Sequence, residues 1–443
     1  MSSELVDAAP QRTSSDAATL ASLPLPLAHR IFLALPVDAR GRACCVCRAW
    51  RDVLADPSLW TRLDMSDVDV EWQRFAAMLQ GAAGRARGGL SNLDLSQRHV
   101  ELEMLLPVLT ANAGSLRELH LKCLGSSVFS VTPEAVVVAA PLLQVLTVEE
   151  VSCKWEEAPR LLRAEPPFAA LQMRYSLKVD FRCSERYYGG MERVAPFAAA
   201  LADVALQPAL SHLCVDRADT DQPAVMAALV DAALARRLRQ LSLENCSSPV
   251  AAPLARLLAE GSLTHLELVW VGLFDDEAGA ALMADALRVN TTLTQLNLCE
   301  AFLCDDVDGA GILLGALVGH PSMRRLVIIG EETPEGGRSV FGTAVAALIA
   351  ADAPALRALV CCNSSLGDAG LAPIVDALAL NRHLHKLDLS CNDMSTAFAR
   401  ERLLPAVRSN STLREFMYED VEPFSSPAAA EAVELVRRRA QQS

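Results

Sequence analysis

Three side chains at alternating positions of one short segment are of the types used in nucleophilic catalysis. His212, Cys214 and Asp216 supply a base, a thiol and a carboxylate, and the alternation of a strand would place all three on one face. Residues two apart on a strand lie about 6 to 7 Å from each other, so a hydrogen bond from the thiol to the imidazole needs favourable rotamers. No donor for a developing oxyanion is visible nearby. We therefore interpret the trio as ordinary polar surface and predict no catalytic residue.

Two further motifs have the types or spacing of a cofactor site. Cys44 and Cys47 form a Cys-x-x-Cys pair, the spacing of a metal half-site or a redox pair, but neither a second such pair nor a His pair accompanies them. The Gly-rich segment GAAGRARGG at 81–89 lacks the Lys-Ser/Thr ending of a phosphate loop and is better explained as a flexible basic connection. We expect no metal, no cofactor and no enzymatic activity of the chain itself.

The elements that position these residues repeat along the chain. The pattern apolar-x-x-apolar-x-apolar recurs at intervals that are mostly between 25 residues (Leu238 to Leu263) and 33 residues (Met323 to Leu356). Its clear copies begin at Leu90, Leu116, Leu143, Leu210, Leu238, Leu263, Leu293, Met323, Leu356, Leu384 and Leu413. A weaker copy begins near Leu171. Such short apolar runs predict strands.

Helix-period segments lie between these strands. In 275–290, Ala278, Leu282, Ala286 and Val289 are predicted to share a face, and Asn290 lies at the expected helix end. Burying about four leucine-sized side chains in one strand-helix unit yields on the order of 6 to 12 kcal/mol. Ordering nearly thirty residues costs roughly 40 kcal/mol. Neighbouring units must therefore stack strand beside strand into a parallel sheet with the helices outside.

In this pattern the chain resembles leucine-rich repeats of the ribonuclease-inhibitor type over roughly residues 90–420. The segments LTHLELVWVGLFDDEAGAALMADALRVNTTL (263–293) and LHKLDLSCNDMSTAFARERLLPAVRSNSTL (384–413) carry the resemblance. It implies an α/β leucine-rich-repeat solenoid with the sheet on its concave side. The long interval between Leu171 and Leu210 predicts an inserted loop at 181–190.

Residues that alternate with the repeat leucines are predicted to face outward, and acids dominate them. Glu244 and Glu267, on successive strands, motivate the hypothesis that the repeats bind a basic segment of a protein substrate. The alternative is charge that only promotes solubility, and binding that is independent of salt would contradict the hypothesis. Val269, Val327, Ile329 and Val360 form a predicted outward apolar patch that marks either substrate contact or a surface covered by the loop at 330–339.

A separate helical unit precedes the repeats at 23–60. Leu27, Ile31 and Leu35 recur at helical spacing, and Val46, Trp50 and Leu54 lie on the apolar stripe of a later helix. So short a unit makes a marginal core and leaves apolar surface uncovered, which suggests an obligate partner.

This unit resembles an F-box. The resemblance rests on Leu23-Pro24, Ile31-Phe32 and Leu35-Pro36, followed by VCRAWR at 46–51 and DPSLW at 56–60. It implies that the helices dock on a Skp-family adaptor linked to a cullin and a RING ubiquitin ligase, while the repeats select a protein substrate. The predicted adaptor-binding residues are Leu23, Pro24, Leu27, Ile31, Phe32, Leu35, Val46, Trp50 and Leu54.

Composition sets the remaining expectations. The 443 residues contain 40 Lys and Arg against 54 Asp and Glu, and a net charge of −14 argues against nucleic acid or an anionic membrane as a partner. No membrane span or signal peptide is recognisable, so we expect a cytoplasmic or nuclear protein.

We predict a disordered tail at 1–20, the F-box at 21–66, a linker at 67–89, repeats at 90–420 and a terminal helix or tail at 421–443. The main functional alternative is a scaffold or a GTPase regulator of the RanGAP kind that uses only the repeats.

Overall fold

The computed structural model describes most of the chain. The described residues are 24–68, 70–97, 100–124, 132–155, 157–163, 172–180, 191–205, 210–218, 222–246, 250–271, 277–300, 307–330, 335–419 and 426–442. The predicted tail at 1–20 and the predicted loop at 181–190 lie outside them. The chain forms two compact units, residues 1–149 with 170–173 and residues 150–169 with 174–443.

The first unit begins with three short helices, followed by strands that alternate with helices. Its helices are α1 (Leu25–Leu33), α2 (Val37–Ala43), α3 (Arg48–Leu54), α4 (Trp72–Arg85), α5 (Leu102–Ala111) and α6 (Pro133–Ala139). A 3-10 helix spans Pro57–Trp60, and the strands are β1 (Arg62–Asp64), β2 (Asn92–Leu95) and β3 (Glu118–Leu124). β4 (Val145–Lys154) has residues in both units.

The second unit continues the alternation of strand and helix. Its strands are β5 (Gln172–Asp180), which begins in the first unit, β6 (His212–Asp216), β7 (Gln240–Glu244), β8 (His265–Val269), β9 (Gln295–Cys299), β10 (Arg325–Ile329), β11 (Ala358–Cys362), β12 (Lys386–Asp388) and β13 (Glu415–Met417). Its helices are α7 (Ala158–Leu162), α8 (Met191–Ala202), α9 (Pro223–Arg236), α10 (Ala251–Glu260), α11 (Glu277–Val289), α12 (Val307–Leu317), α13 (Arg338–Ala350), α14 (Gly367–Leu378), α15 (Thr396–Phe398), α16 (Leu404–Ser409) and α17 (Pro427–Gln442). A π-helical turn at Ala399–Leu403 joins α15 to α16.

The repeat leucines align across the sheet. Within the second unit, each strand from β5 to β12 pairs in parallel with the next one along the chain. Leu241, Leu266 and Leu296 are direct partners in this register, and all three are buried. β1, β2 and β3 pair in the same way in the first unit. The predicted α/β leucine-rich-repeat solenoid, preceded by a small helical unit, is confirmed.

A turn of constant geometry follows the strands. The residue after the strand adopts a left-handed conformation, and its N–H donates to a carbonyl at the end of the next strand, as Trp270 N does to Cys299 O at 3.0 Å. The residues that share this arrangement are Arg217, Asn245, Trp270, Glu300 and Gly330, while Asn363 and Cys391 donate to Ser390 O and Glu419 O, two residues beyond the next strand. Because the ladder of backbone hydrogen bonds continues past each strand end, the turns also link adjacent repeats.

Two local predictions are wrong. The buried residues of α11 are Ala280, Met283, Ala284, Ala286 and Leu287, so Ala286 of the predicted face is buried while Leu282 and Val289 are exposed. Apolar residues occur on both sides of this Ala-rich helix, so spacing alone did not select the buried face.

The predicted linker at 67–89 contains the 14-residue helix α4. Phe75, Leu79, Ala82 and Ala83 of this helix are buried at helical spacing. Burial of this face outweighs the low helix propensity of the glycines in GAAGRARGG.

Candidate functional site

The amino-terminal helices have a small filled core. Phe32 and Leu54, exposed by only 1% and 0%, are two of its side chains. The ring of Phe32 meets Trp50 edge-on with centroids 5.6 Å apart, and Trp60 Nε1 donates to Leu54 O at 2.8 Å. Phe32 and Leu54, both predicted as adaptor-binding, therefore hold the helices together.

A buried arginine ties α2 to the segments around it. Arg40 Nε donates to Leu35 O at 2.8 Å, and its Nη1 donates to Leu59 O at 2.5 Å. Burial lowers the pKa of Arg40, but a guanidinium retains its charge in proteins. The hydrogen bonds to the two carbonyls compensate part of the cost of burying that charge.

Four large apolar side chains of these helices are exposed. They are Leu25 at 58%, Leu27 at 44%, Leu33 at 51% and Val46 at 62%, and we call them the F-box apolar residues. Ile31, Leu35 and Trp50 are partly exposed, Pro24 is exposed at the start of α1, and Leu23 lies outside the described residues. Sequence reasoning missed Leu25 and Leu33. Ala28 and Phe32 are the buried residues of α1. Their spacing of four residues is the sequence signal that indicates this inner face.

On the sheet face away from the repeat leucines, the register defines rows of side chains. The middle row consists of Lys178, Cys214, Ser242, Glu267, Asn297, Val327, Val360, Asp388 and Met417. The last row, at the carboxyl ends of the strands, consists of Asp180, Asp216, Glu244, Val269, Cys299, Ile329 and Cys362.

The predicted acidic pair is not adjacent in either row. Glu267 lies beside Ser242, whereas Glu244 lies beside Val269. Glu244 forms an ion pair with Lys178, a residue that sequence reasoning missed because the repeat copy near Leu171 is weak. Glu267 accepts a hydrogen bond from Asn297 Nδ2 at 3.3 Å. Of the two carboxylates, Glu267 is therefore the better candidate for contact with a basic segment of a protein substrate.

The predicted outward apolar patch is partly wrong. Val327 and Val360 are exposed by only 4% and 5%, so their side chains are buried. Val269 and Ile329 in the last row stay partly exposed. The candidate contact strip therefore follows the carboxyl ends of β8 to β10, with Cys299 between the two apolar residues.

The prediction that His212, Cys214 and Asp216 form an ordinary polar surface is also wrong. Cys214 and Asp216 are buried, and Cys214 Sγ donates to Glu244 Oε1 at 3.1 Å. Burial and the Glu244 carboxylate raise the pKa of the Cys214 thiol, which opposes formation of a nucleophilic thiolate. Asp216 Oδ1 accepts from Asn245 Nδ2 at 3.0 Å. These contacts favour a structural role for the cluster.

Within the described ranges, no group of three His, Cys, Asp or Glu side chains is placed to hold a metal ion. Over the same ranges no helix has the length and apolar character needed to cross a membrane.

Residues 20–66 match the family model described as F-box-like. A putative F-box/LRR-repeat protein 22 of Arabidopsis thaliana is 30% identical over 156 residues, which cover 34% of this chain and 50% of that protein. A putative F-box protein of the same plant is 31% identical over 137 residues, which cover 30% and 42%. The chain therefore spans about half or less of the length of these curated relatives.

Among solved structures, the yeast Rad7 and Elc1 complex matches with a TM-score of 0.40 at 13% identity, covering 88% of this chain and 92% of that one. Actin-binding site 2 of leiomodin-1 matches with a TM-score of 0.30 at 13% identity, covering 36% and 88%. Residues 20–66 are thus similar to F-box-like domains, and the fold that follows them is a leucine-rich-repeat solenoid.

Proposed function

We propose that the chain is the substrate-recognition subunit of a Skp-cullin-F-box ubiquitin ligase in the cytoplasm or nucleus. In this proposal the helices α1 to α3 bind a Skp-family adaptor, and the repeats bind a protein substrate. The chain itself does no covalent chemistry. The observation that carries the proposal is the exposure of the F-box apolar residues on a unit whose core is already filled.

Exposed apolar side chains at this density mark contact surfaces in soluble proteins. Leu25, Leu27, Leu33 and Val46 fall within one short helical unit, and each is 44% exposed or more. A partner that covers them gains apolar burial without repacking of the Phe32 and Leu54 core. The exposure of these four side chains and the burial of Phe32 and Leu54 support their assignment as docking and core residues respectively.

On the repeats, the proposed substrate contact is the strip at the carboxyl ends of β8 to β10. Val269 and Ile329 supply partly exposed apolar surface there, and Glu267 lies in the adjoining row. Glu267 forms no ion pair with any residue that the structure describes. A basic segment of a protein would complement this carboxylate and the net charge of the chain.

The decisive experiment measures binding of the full chain to a purified Skp-family adaptor. Leu27→Asp and Val46→Asp place a charge on the docking surface and are expected to weaken binding by at least about tenfold, because a buried unpaired carboxylate is costly. Both residues are exposed, so each variant should keep the wild-type circular dichroism and thermal midpoint. Ile31→Asp is less informative because Ile31 is partly buried.

Leu380→Asp is the matched control, since Leu380 is 80% exposed after α14 in the repeats. Its adaptor affinity is expected to equal that of the wild type. Wild-type affinity in Leu27→Asp and Val46→Asp would contradict the docking surface. A wild-type chain that binds no adaptor would overturn the proposal and leave the repeat-only scaffold or GTPase regulator in its place.

A further inference from the structure

A cavity of about 640 Å³ lies in the first compact unit, lined by residues from α3 and α4 and from the segments that follow α2 and α4. Gly81, Gly84 and Arg85 line it from α4, and Arg51 lines it from α3. Arg87 follows α4 and completes a set of three lining arginines. Cavities of about 300 to 1,000 Å³ are the usual size for small-molecule sites.

The lining of this cavity is basic, in contrast to the net charge of −14 of the whole chain. Arg51, Arg85 and Arg87 contribute three positive charges, and none of the lining residues is an acid. None of the three guanidinium groups forms an ion pair with any residue that the structure describes. Three like charges around one cavity repel each other until an anion binds between them.

Two of the arginines are held in place by the protein. Arg51 Nε donates to Cys44 O at 3.1 Å. Arg85 lies over the ring of Trp60 with its Cζ 5.1 Å from the centroid, and its Nη1 donates to Gly81 O at 3.1 Å. A guanidinium has five N–H donors, so each arginine keeps most of them for a ligand.

The backbone of Arg87 is in the left-handed region, at a φ of 50°, which is uncommon for a residue with a side chain. The nearby Asp56 carboxylate interacts with Arg87 electrostatically but has other partners. Its oxygens accept from Ser58 N at 2.9 Å and contact His29 Nε2 at 3.3 Å. Asp56 therefore divides its interactions among Ser58, His29 and Arg87, and it forms no hydrogen bond with Arg87.

Gly81 and Gly84 of α4 line the cavity and leave space for a side chain at both positions. A Cβ at Gly84 would meet no heavy atom within 4 Å, and one at Gly81 would lie 3.4 Å from Arg85 Nη1. A glycine inside a helix lowers helix stability by about 0.5–1 kcal/mol relative to alanine. The two glycines therefore make α4 less stable and leave the space beside them open.

We infer that this cavity binds a small ligand that carries a diphosphate group. Guanidinium groups pair bidentately with phosphate oxygens, and several of them match a group with more than one phosphate. The segment GAAGRARGG supplies arginine side chains instead of the backbone cradle and lysine of a phosphate loop. None of the four F-box apolar residues lines the cavity, but Arg51 and Leu54 of α3 do, so ligand binding and adaptor binding are measured separately.

Isothermal titration of the full chain with inorganic pyrophosphate and with ADP tests the inference. Saturable binding with one ligand per chain is expected for at least pyrophosphate. Tighter binding of ADP would identify a nucleotide as the source of the diphosphate, whereas equal binding would assign the site to the diphosphate alone. Citrate, at the same ionic strength, is expected to bind at least about tenfold more weakly.

Arg51→Gln, Arg85→Gln and Arg87→Gln are each expected to weaken pyrophosphate binding by about tenfold or more, since each removes charge-assisted hydrogen bonds. Gly84→Leu adds a side chain at a lining position where a Cβ meets no heavy atom within 4 Å, and it is expected to abolish binding. Arg74→Gln is the matched control, because Arg74 is exposed on α4 and does not line the cavity.

No saturable binding by the wild type would overturn the inference. So would wild-type affinity in Gly84→Leu and Arg51→Gln, an equal loss in Arg74→Gln, or equal binding of citrate. Adaptor binding is measured on the same preparations, so failure of the proposed ligase role and failure of this site are distinguishable.

Discussion

At the residue scale, a buried polar side chain at the end of several outer helices joins one repeat to the next. Asn290 Nδ2 donates to Leu258 O of the preceding repeat at 2.7 Å, and its Oδ1 accepts from Thr292 N and Leu293 N. Asn112, Asn381 and Asn410 make similar contacts. One amide thus satisfies backbone groups of two repeats in a buried turn.

His320 occupies the corresponding position after α12, and we expect it to make the stability of the chain sensitive to acid. Its Nδ1 accepts from Met323 N at 3.2 Å, so a proton on Nδ1 would break this hydrogen bond. Burial lowers the pKa of His320, and the Leu287 carbonyl only partly opposes this. Below pH 6.5 the unfolded state binds a proton that the folded state does not, so stability falls as pH falls from 6.5 to the folded pKa.

Urea unfolding at pH 7.5, 6.5 and 5.5 measures this effect. His320→Asn, which introduces the residue found at 112, 290, 381 and 410, should reduce the pH slope by up to about 1.4 kcal/mol per pH unit. Burial also lowers the pKa of His212 and His265, so part of the slope should remain in the variant. Identical slopes for variant and wild type would contradict the assignment.

Exposure and partners of single residues were the least predictable part of the candidate site. Alternation correctly placed Val327 and Glu244 on the sheet face away from the leucines. It did not reveal that Val327 is buried or that Lys178 pairs with Glu244, because both depend on neighbouring strands. In the F-box, helical spacing identified apolar positions but did not separate the buried Leu54 from the exposed Leu27.

At the element scale, α13 and α14 pack at the closest distance that their backbones allow. A Cβ at Gly342 would lie 2.0 Å from Gly370 O, and one at Gly370 would lie 2.8 Å from Arg338 O. Gly311 and Gly315 of α12 have no heavy atom within 4 Å of the same position. The glycines of α12 and α13 therefore differ in their surroundings.

We expect Gly342→Ala to lower the free energy of unfolding by about 1–3 kcal/mol, since the two helices must move apart. Gly311→Ala and Gly315→Ala are expected to raise it by about 0.5–1 kcal/mol through helix propensity. Chemical denaturation of the three variants under one condition makes the comparison. A Gly342→Ala variant as stable as Gly311→Ala would show that the α13–α14 contact is not tight.

Strands were more predictable than connections at this scale. The repeat leucines located β6 to β13 because each strand buries the same side of a short apolar run. The segment at 67–89 was misjudged because its glycines and arginines suggest flexibility, whereas Phe75 and Leu79 bury one face of α4. The linker prediction relied on the local Gly- and Arg-rich composition and not on the helical spacing of Phe75 and Leu79. Burial of these two side chains stabilises the helix.

At the scale of the whole molecule, stability in a repeat array comes from each repeat and its neighbours. The sequence predicted this array, because no single unit buries enough apolar surface to fold alone. It did not predict the division into two compact units near residues 149 and 150, since Leu143, Leu146 and Val148 continue the repeat pattern across this point. That division depends on contacts between residues distant in sequence.

The repeat that contains β13 pairs with β12, and α17 packs against β13 and α16. Ala429, Ala432 and Val436 of α17 are buried. Arg439 Nη1 donates to Val407 O at 2.9 Å and to Asn410 O at 2.5 Å, and so satisfies carbonyls at the end of α16. Arg437, by contrast, is 68% exposed and pairs with Glu434 within α17.

Removal of residues 427–443 should therefore destabilise the array from its end. Hydrogen exchange is expected to show loss of amide protection in β13 and α16, with protection of β6 to β9 retained, because each repeat depends on its immediate neighbours. Arg439→Gln should reproduce a weaker form of this local loss, whereas Arg437→Gln should match the wild type. Protection lost equally across all repeats would instead mean that the second unit unfolds as one cooperative block, and unchanged protection would mean that α17 contributes nothing to its stability.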